Sequence, residues 1–158
     1  MGPIVHLDLG LCVIRPWREQ DVASLARHAN NRRVWQNLRD DFPHPYTETH
    51  AARFLARAVT ADPAANFAIV VGCKAVGGIA TAAVRAMTAF AFRAHGKLRR
   101  IYAAPFAWNA ASARVLEKAG FTLERLLRRS TIKQGRAANQ LLYAIVREDG
   151  RTRHVSDR

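Results

Sequence analysis

Acidic residues are the scarcest chemistry in this sequence: 12 Asp and Glu stand against 25 Lys and Arg over 158 residues, leaving a net charge of +13. The deficit is uneven, with 9 basic and 7 acidic groups in residues 1–84 but 16 and 5 in residues 85–158. Such a field favours a polyanionic partner, either a phosphorylated cofactor or nucleic acid, and speeds encounter without saying which. An Arg-rich surface that only keeps the protein in solution accounts for the charge equally well. Cysteine is nearly missing. Cys12 and Cys73 have neither paired spacing nor a histidine cluster beside them, which excludes a disulfide framework and a zinc site and leaves both as small buried hydrophobes. The six histidines are scattered, and no two stand at H-x-x-x-H or H-E-x-x-H spacing, so no metal is expected. Long apolar runs are absent too. Arg, Lys, His or a Gly/Pro turn interrupts every stretch before it could span a bilayer, and the start lacks a basic flank followed by an apolar signal core. His6 occupies the place where a myristoylation site needs Ser or Thr. A cytoplasmic location without membrane contact is expected.

What is present is a mixed α/β pattern in one stretch. No repeat, low-complexity tract or linker divides the chain, so a single domain is expected over residues 1–150, with a polar tail at 151–158. Leu11 to Ile14 is a short apolar run stopped by Pro16, consistent with a first strand. From Glu19 onward Val22, Leu25, Ala26 and Ala29 recur at helical spacing as far as Asn30-Asn31. Pro43 and Pro45 make Asp40 to Tyr46 a loop, because each proline biases its preceding residue away from the helical region. Thr47 is placed to cap a second helix through Val59, with Ala51, Phe54, Leu55 and Ala58 on one face and Asp62-Pro63 closing it. Phe67 to Val71 is a strand rich in branched and aromatic residues, with Gly72-Cys73-Lys74 as a hairpin-like turn. A helix is expected from about Ala80 to Ala94 with Gly96 as its stop, and a strand from Leu98 to Ala104. Asn109 caps a helix through Ala119 that Gly120 ends. Two long strands then flank a turn at Lys133-Gln134-Gly135-Arg136, the second running from Leu141 to Val146.

Two helix starts carry the candidate chemistry. Free N–H groups and a partial positive charge at a helix N-terminus preceded by glycine, as in Gly77-Gly78-Ile79-Ala80-Thr81, suit a pyrophosphate, although a tight turn explains the same residues. Asn109-Ala110-Ala111-Ser112 puts an amide and a hydroxyl on the exposed end of another helix. Ordinary capping accounts for Asn109 and leaves Ser112 unassigned.

The string Asn109-x-x-Ser112-x-x-Val115-Leu116-Glu117-Lys118-x-Gly120-Phe121 resembles a motif of the GNAT superfamily of N-acetyltransferases, in the branch of the ribosomal-protein N-terminal acetyltransferases. The likeness continues through Leu126-Leu127-Arg128, Lys133-x-Gly135 and Leu142-Tyr143-Ala144. It reaches back through Leu11 to Asp21 and the loop from Asn37 to Tyr46. The resemblance implies a GNAT fold and an acetyl transfer from acetyl-CoA to a primary amine, a protein N-terminus or a small amine, by direct attack without a metal. It implies further that Asn109 bonds the pantetheine arm and that Gly77, Gly78, Ile79, Ala80 and Thr81 hold the pyrophosphate. Ser112 would protonate the leaving thiolate, and Phe42, His44 and Tyr46 would line the acceptor pocket. A monomer or homodimer is expected, and the basic charge leaves nucleic acid or the ribosome as further partners.

One departure from the family pattern falls between Gly78 and Ile79. There the family carries the end of one strand, a turn, a further strand and a W-G-x-G-I-A loop, so that about thirty residues are absent by usual strand and loop lengths. With them go the strand that pairs with pantetheine, the N–H that polarises the thioester carbonyl and the Glu invoked as general base. The six-residue window ending at Ala80 begins with Ala75 in place of Gln, Arg or Trp. Excising a strand pair removes two chain reversals, so Phe67 to Val71 is expected to take the vacated place beside Leu98 to Ala104 in a reduced central sheet. Three readings follow: an acyltransferase, a GNAT remnant with a binding or oligomerising role, and a basic nucleic-acid-associated protein.

Overall fold

In the computed structural model, which describes residues 5–61, 66–72 and 78–147, the N-terminal part builds one small sheet with helices beside it. Strand β1 (Leu7–Asp8) turns through Gly10 onto β2 (Cys12–Pro16), and the Gly10 N–H donates to Asp8 Oδ1 at 2.8 Å. β2 pairs antiparallel with β3 (Phe67–Val71), setting Ile14 opposite Ile69. A 3-10 turn at Glu19–Asp21 leads into α1 (Val22–Ala29), and a four-residue helix, α2 (Arg32–Trp35), follows directly. Helix α3 (Glu48–Thr60) starts at Thr47 as the sequence predicts. The cap is reciprocal, because His50 Nδ1 accepts from the Thr47 N–H at 3.1 Å while Thr47 Oγ1 accepts from the His50 N–H at 3.5 Å. Buried Ala51, Leu55 and Ala58 mark the face that α3 turns inward.

The C-terminal part forms a second sheet. α4 (Ile79–Ala94), β4 (Arg100–Ala103), α5 (Ala110–Lys118), β5 (Thr122–Lys133) and β6 (Arg136–Val146) follow in order, and the strands lie as β4-β6-β5, all antiparallel neighbours. Gln134 and Gly135, at φ of 51° and 70°, form the two-residue turn that joins β5 to β6. Positive φ at both central positions matches the right-handed twist of the flanking strands, and glycine adopts it without steric cost. α5 ends at Gly120, whose N–H donates to the Glu117 carbonyl at 3.0 Å, so that Phe121 enters a core with Ala113, Leu116, Ala119 and Tyr143. Cys12 is buried, as expected for a small hydrophobe, while Cys73, the turn around it, Asp62-Pro63 and the 151–158 tail lie outside the described residues.

The expected closure of the sheet does not occur. β3 pairs with β2 and β4 pairs with β6, in two separate three-stranded sheets, so Phe67 to Val71 does not take the place beside Leu98 to Ala104. The reason lies in α4. Its Ala83, Ala86, Met87 and Phe90 pack with Val5, Ile14 and Phe67 of the first sheet, while Val84 packs against the α5 core. Side-chain packing on one helix about 24 Å long thereby sets the spacing of the two sheets, and hydrogen bonds between strands do not. Arg147 fixes the far end of that helix to the second sheet, its guanidinium donating to the carbonyls of Phe92 and His95. Apolar side chains on the two outer strands consequently remain in water: Ile69 is 50% exposed and Tyr102 65%.

Candidate functional site

Asn109 leaves β4 through Pro105, Phe106 and Trp108 and opens α5. Its Oδ1 accepts from the Ser112 N–H at 3.1 Å, the helix cap that the sequence predicts. Asn109 and Ser112 are thus brought together at one helix start. The Ser112 hydroxyl is half-buried and has no hydrogen-bond partner among the described residues. At the other helix start, Gly78 precedes α4 with φ of 88°, a left-handed conformation that favours glycine. The Ala82 N–H reaches the Gly78 carbonyl, so the N–H groups of Ile79, Ala80 and Thr81 belong to the unpaired first turn of α4. Gly77 lies outside the described residues.

A cavity of about 850 Å³ opens between the N-terminal helices and the exit of β4, walled by Phe42, Tyr46, His50, Phe54, Phe106 and Gln140 among others. Phe42 and Tyr46 stack at 4.7 Å between ring centroids, and burial pushes the Tyr46 hydroxyl above its ordinary pKa. His44, expected beside them, stacks instead on Trp35 at 5.3 Å and is exposed. Gln140 is a residue that sequence reasoning missed. It is buried, donates from Nε2 to the Ala104 carbonyl at 2.6 Å and accepts from Ser130 Oγ at 3.1 Å, which holds the β4 exit against β6. His50 Nδ1 accepts from the Thr47 N–H, which in the neutral ring leaves the proton on Nε2, so its basic nitrogen is committed to the cap.

A second cavity, of about 690 Å³, reaches Asn109 and is lined by Arg32, Gln36, Trp108, Lys133, Gln134 and Arg136 together with small residues. Lys133 lines this cavity. It is 7% exposed, its Nζ standing 3.1 Å from Asp40 Oδ1 and 4.1 Å from the centre of the Trp35 ring. That ammonium, with the Gln134 N–H donating to Oδ2 at 2.7 Å, holds the Asp40 carboxyl below the ordinary carboxylate range. The sequence offered two signals for this cavity, the +11 half and a tryptophan beside the Asn109 cap, and neither localised it. Among the described residues no group of three or more His, Cys, Asp or Glu side chains could hold a metal ion. No helix among them is long and apolar enough to cross a membrane.

The fold is a mixed α/β domain in which β4 leads to an Asn-capped helix whose start lines a basic cavity. Residues 60–122 match the family model described as Acetyltransferase (GNAT) domain. No curated protein matches the sequence. Solved structures share the fold at low identity. A GNAT-family acetyltransferase from Bacillus anthracis is 19% identical with a TM-score of 0.75, over 90% of this chain and 98% of that one. RimJ from Mycobacterium smegmatis, in complex with CoA-disulfide, is 22% identical with a TM-score of 0.75, over 94% and 89%. RimL, a ribosomal L7/L12 α-N-protein acetyltransferase in complex with coenzyme A, is 18% identical with a TM-score of 0.73, over 91% and 98%.

Proposed function

We propose that this protein is a cytoplasmic acyltransferase that moves the acetyl group of acetyl-CoA to a primary amine, a protein N-terminus or a small amine, by direct attack. The observation that carries this reading is the Asn109–Ser112 start of α5, whose Asn109 lines a cavity and which falls within the residues that match the GNAT acetyltransferase model. The coenzyme A held by the RimJ and RimL structures supports the choice of donor. In this reading the first turn of α4, Gly78 to Thr81, takes the pyrophosphate by its free N–H groups, and Asn109 bonds the pantetheine arm. Phe42 and Tyr46 line the acceptor cavity. The amine nitrogen bonds to the thioester carbonyl carbon, the C–S bond breaks, Ser112 Oγ gives its proton to the leaving thiolate, and the proton shed by the acylated nitrogen returns to Ser112 Oγ through water. With His50 committed to its cap and Asp40 to Lys133, the amine arrives already deprotonated, so the rate rises with pH up to the pKa of the acceptor amine.

Calorimetry with acetyl-CoA, followed by thiol release over a panel of amines, tests this. Saturable binding with release on at least one amine is expected, and no heat at millimolar acetyl-CoA would overturn the reading. The separation of β3 from β4 favours a second reading, a GNAT remnant that binds without transferring. Binding without thiol release on any amine would establish that one.

A further inference from the structure

The basic cavity beside Asn109 has features that acetyl transfer does not use. Its walls carry Arg32, Lys133 and Arg136 and no acidic side chain. Lys133 shares its charge with Asp40, but neither arginine has a side-chain partner among the described residues, and both are exposed. Trp108 forms another wall. One face of its ring stacks on buried Phe106 at 4.4 Å between centroids, with the planes 8° apart, yet the residue is 53% exposed. An indole fixed from behind and open in front is a rigid stacking platform, and its entropic cost on binding has already been met by the Phe106 contact. The amides of Gln36, Asn37 and Gln134 supply donors and acceptors around it.

We propose that this cavity binds a mononucleotide-class ligand, its planar base stacked on Trp108 and its phosphate held by Arg32 and Arg136. A guanidinium matches a phosphate with two parallel N–H donors, and every nucleobase offers a π-face to a tryptophan. The volume suits one nucleotide. A polynucleotide would need successive rings along a basic track, whereas the cavity presents a single exposed platform. The cavity shares Asn109 with the acetyl-transfer reading, but the proposal uses none of Gly78 to Thr81 and does not require Ser112.

The test is calorimetry on the full chain with adenosine monophosphate, adenosine, inorganic phosphate and a twelve-nucleotide adenylate strand, at two salt concentrations. Saturable binding of the monophosphate is expected, with adenosine and phosphate each weaker by about tenfold or more. The double variant Arg32→Gln/Arg136→Gln should reduce the affinity for the monophosphate by about tenfold and leave adenosine unaffected. Trp108→Leu should weaken both. Because that change also removes the Phe106 stack, its melting curve is recorded, and Trp108→Tyr, which keeps a platform, should restore much of the binding. Three results would overturn the proposal: no heat with the monophosphate at millimolar concentration, binding unchanged in the arginine pair and in Trp108→Leu, or far tighter, steeply salt-dependent binding of the strand. Displacement of the monophosphate by acetyl-CoA, lost in the same variants, would assign the cavity to the cofactor's own nucleotide end and overturn it likewise.

Discussion

Arg15 and Asp21 stand six positions apart, on β2 and at the end of the 3-10 turn, and meet in two parallel bonds of 2.7 and 2.8 Å. Both side chains are largely removed from water, at 12% and 14% exposure, which makes the pair stronger than a surface salt bridge. The Arg15 guanidinium, with the Arg18 N–H, holds the Asp21 carboxyl below its ordinary pKa. A depressed carboxylate contributes stability that is present above its unfolded pKa, near 4, and lost as pH falls through the lower folded value. Asp21→Asn should therefore cost about 2 kcal/mol at neutral pH and nothing once Asp21 is protonated in the native protein. Urea unfolding of both proteins at pH 7 and in strong acid checks this, and a cost independent of pH would refute it. Asn109 and Ser112 separate by the same kind of reasoning. Asn109→Ala removes the cap and should cost about 1 kcal/mol of stability as well as weakening acetyl-CoA binding. In Ser112→Ala the bonded atom is the backbone nitrogen, so stability should hold while thiol release falls. A Ser112→Ala protein with unchanged turnover would remove Ser112 from the proton transfer.

Elements whose signals are local were legible in the sequence, and those set by distant partners were not. Thr47 and Asn109 each satisfy an N–H three residues on, so a capping residue ahead of an apolar period located α3 and α5 to within a residue. Strand β3 was read at its true bounds from its branched side chains. The two-residue strand β1 and the four-residue helix α2 are shorter than one hydrophobic period, so no pattern could announce them. Neither cavity was legible in outline, because each collects residues from segments as distant as Arg32 and Arg136, and only the family resemblance assigned the Asp41-to-Tyr46 loop and the first two helices to one. The turn between β5 and β6 is where local chemistry and tertiary contact meet. Gly135 supplies the positive φ, while Asp40 accepts from the Gln134 N–H and pairs with Lys133, so the hairpin tip is tied to the loop after α2. Gly135→Val places a β-branched side chain in the left-handed region, at an expected cost of about 1–2 kcal/mol. Disturbing the register at Lys133 should also weaken ligand binding in the adjacent basic cavity. Melting and calorimetry on the one variant read both effects, and a variant as stable as the parent would show that the turn is not held at this geometry.

At the scale of the molecule, each sheet has its own small core and a third lies between α1 and α3; α4 bridges the two sheet cores, and Asp40 ties the loop after α2 to the β5–β6 tip. β6 is flanked by both β4 and β5 at Tyr143 and Ala144, where Tyr143, 1% exposed, donates from its hydroxyl to Glu117 Oε1 at 2.8 Å. Among the described residues β3 pairs with β2 on one side only. Amides paired on both flanks of a packed strand open only with global unfolding, whereas those on a free edge exchange through small local fluctuations. Hydrogen exchange should therefore be slowest at Tyr143 and Ala144, and alternate amides of Phe67 to Val71, those turned away from β2, should exchange orders of magnitude faster. The same measurement separates the two functional readings. A free β3 edge in solution means that the split sheet is how the chain works, with Asn109 and Ser112 serving acetyl transfer without a strand between the sheets. Uniform protection of β3, growing with protein concentration, would mean that another copy pairs with that edge and covers Ile69 and Val71, which gives the chain the oligomerising role.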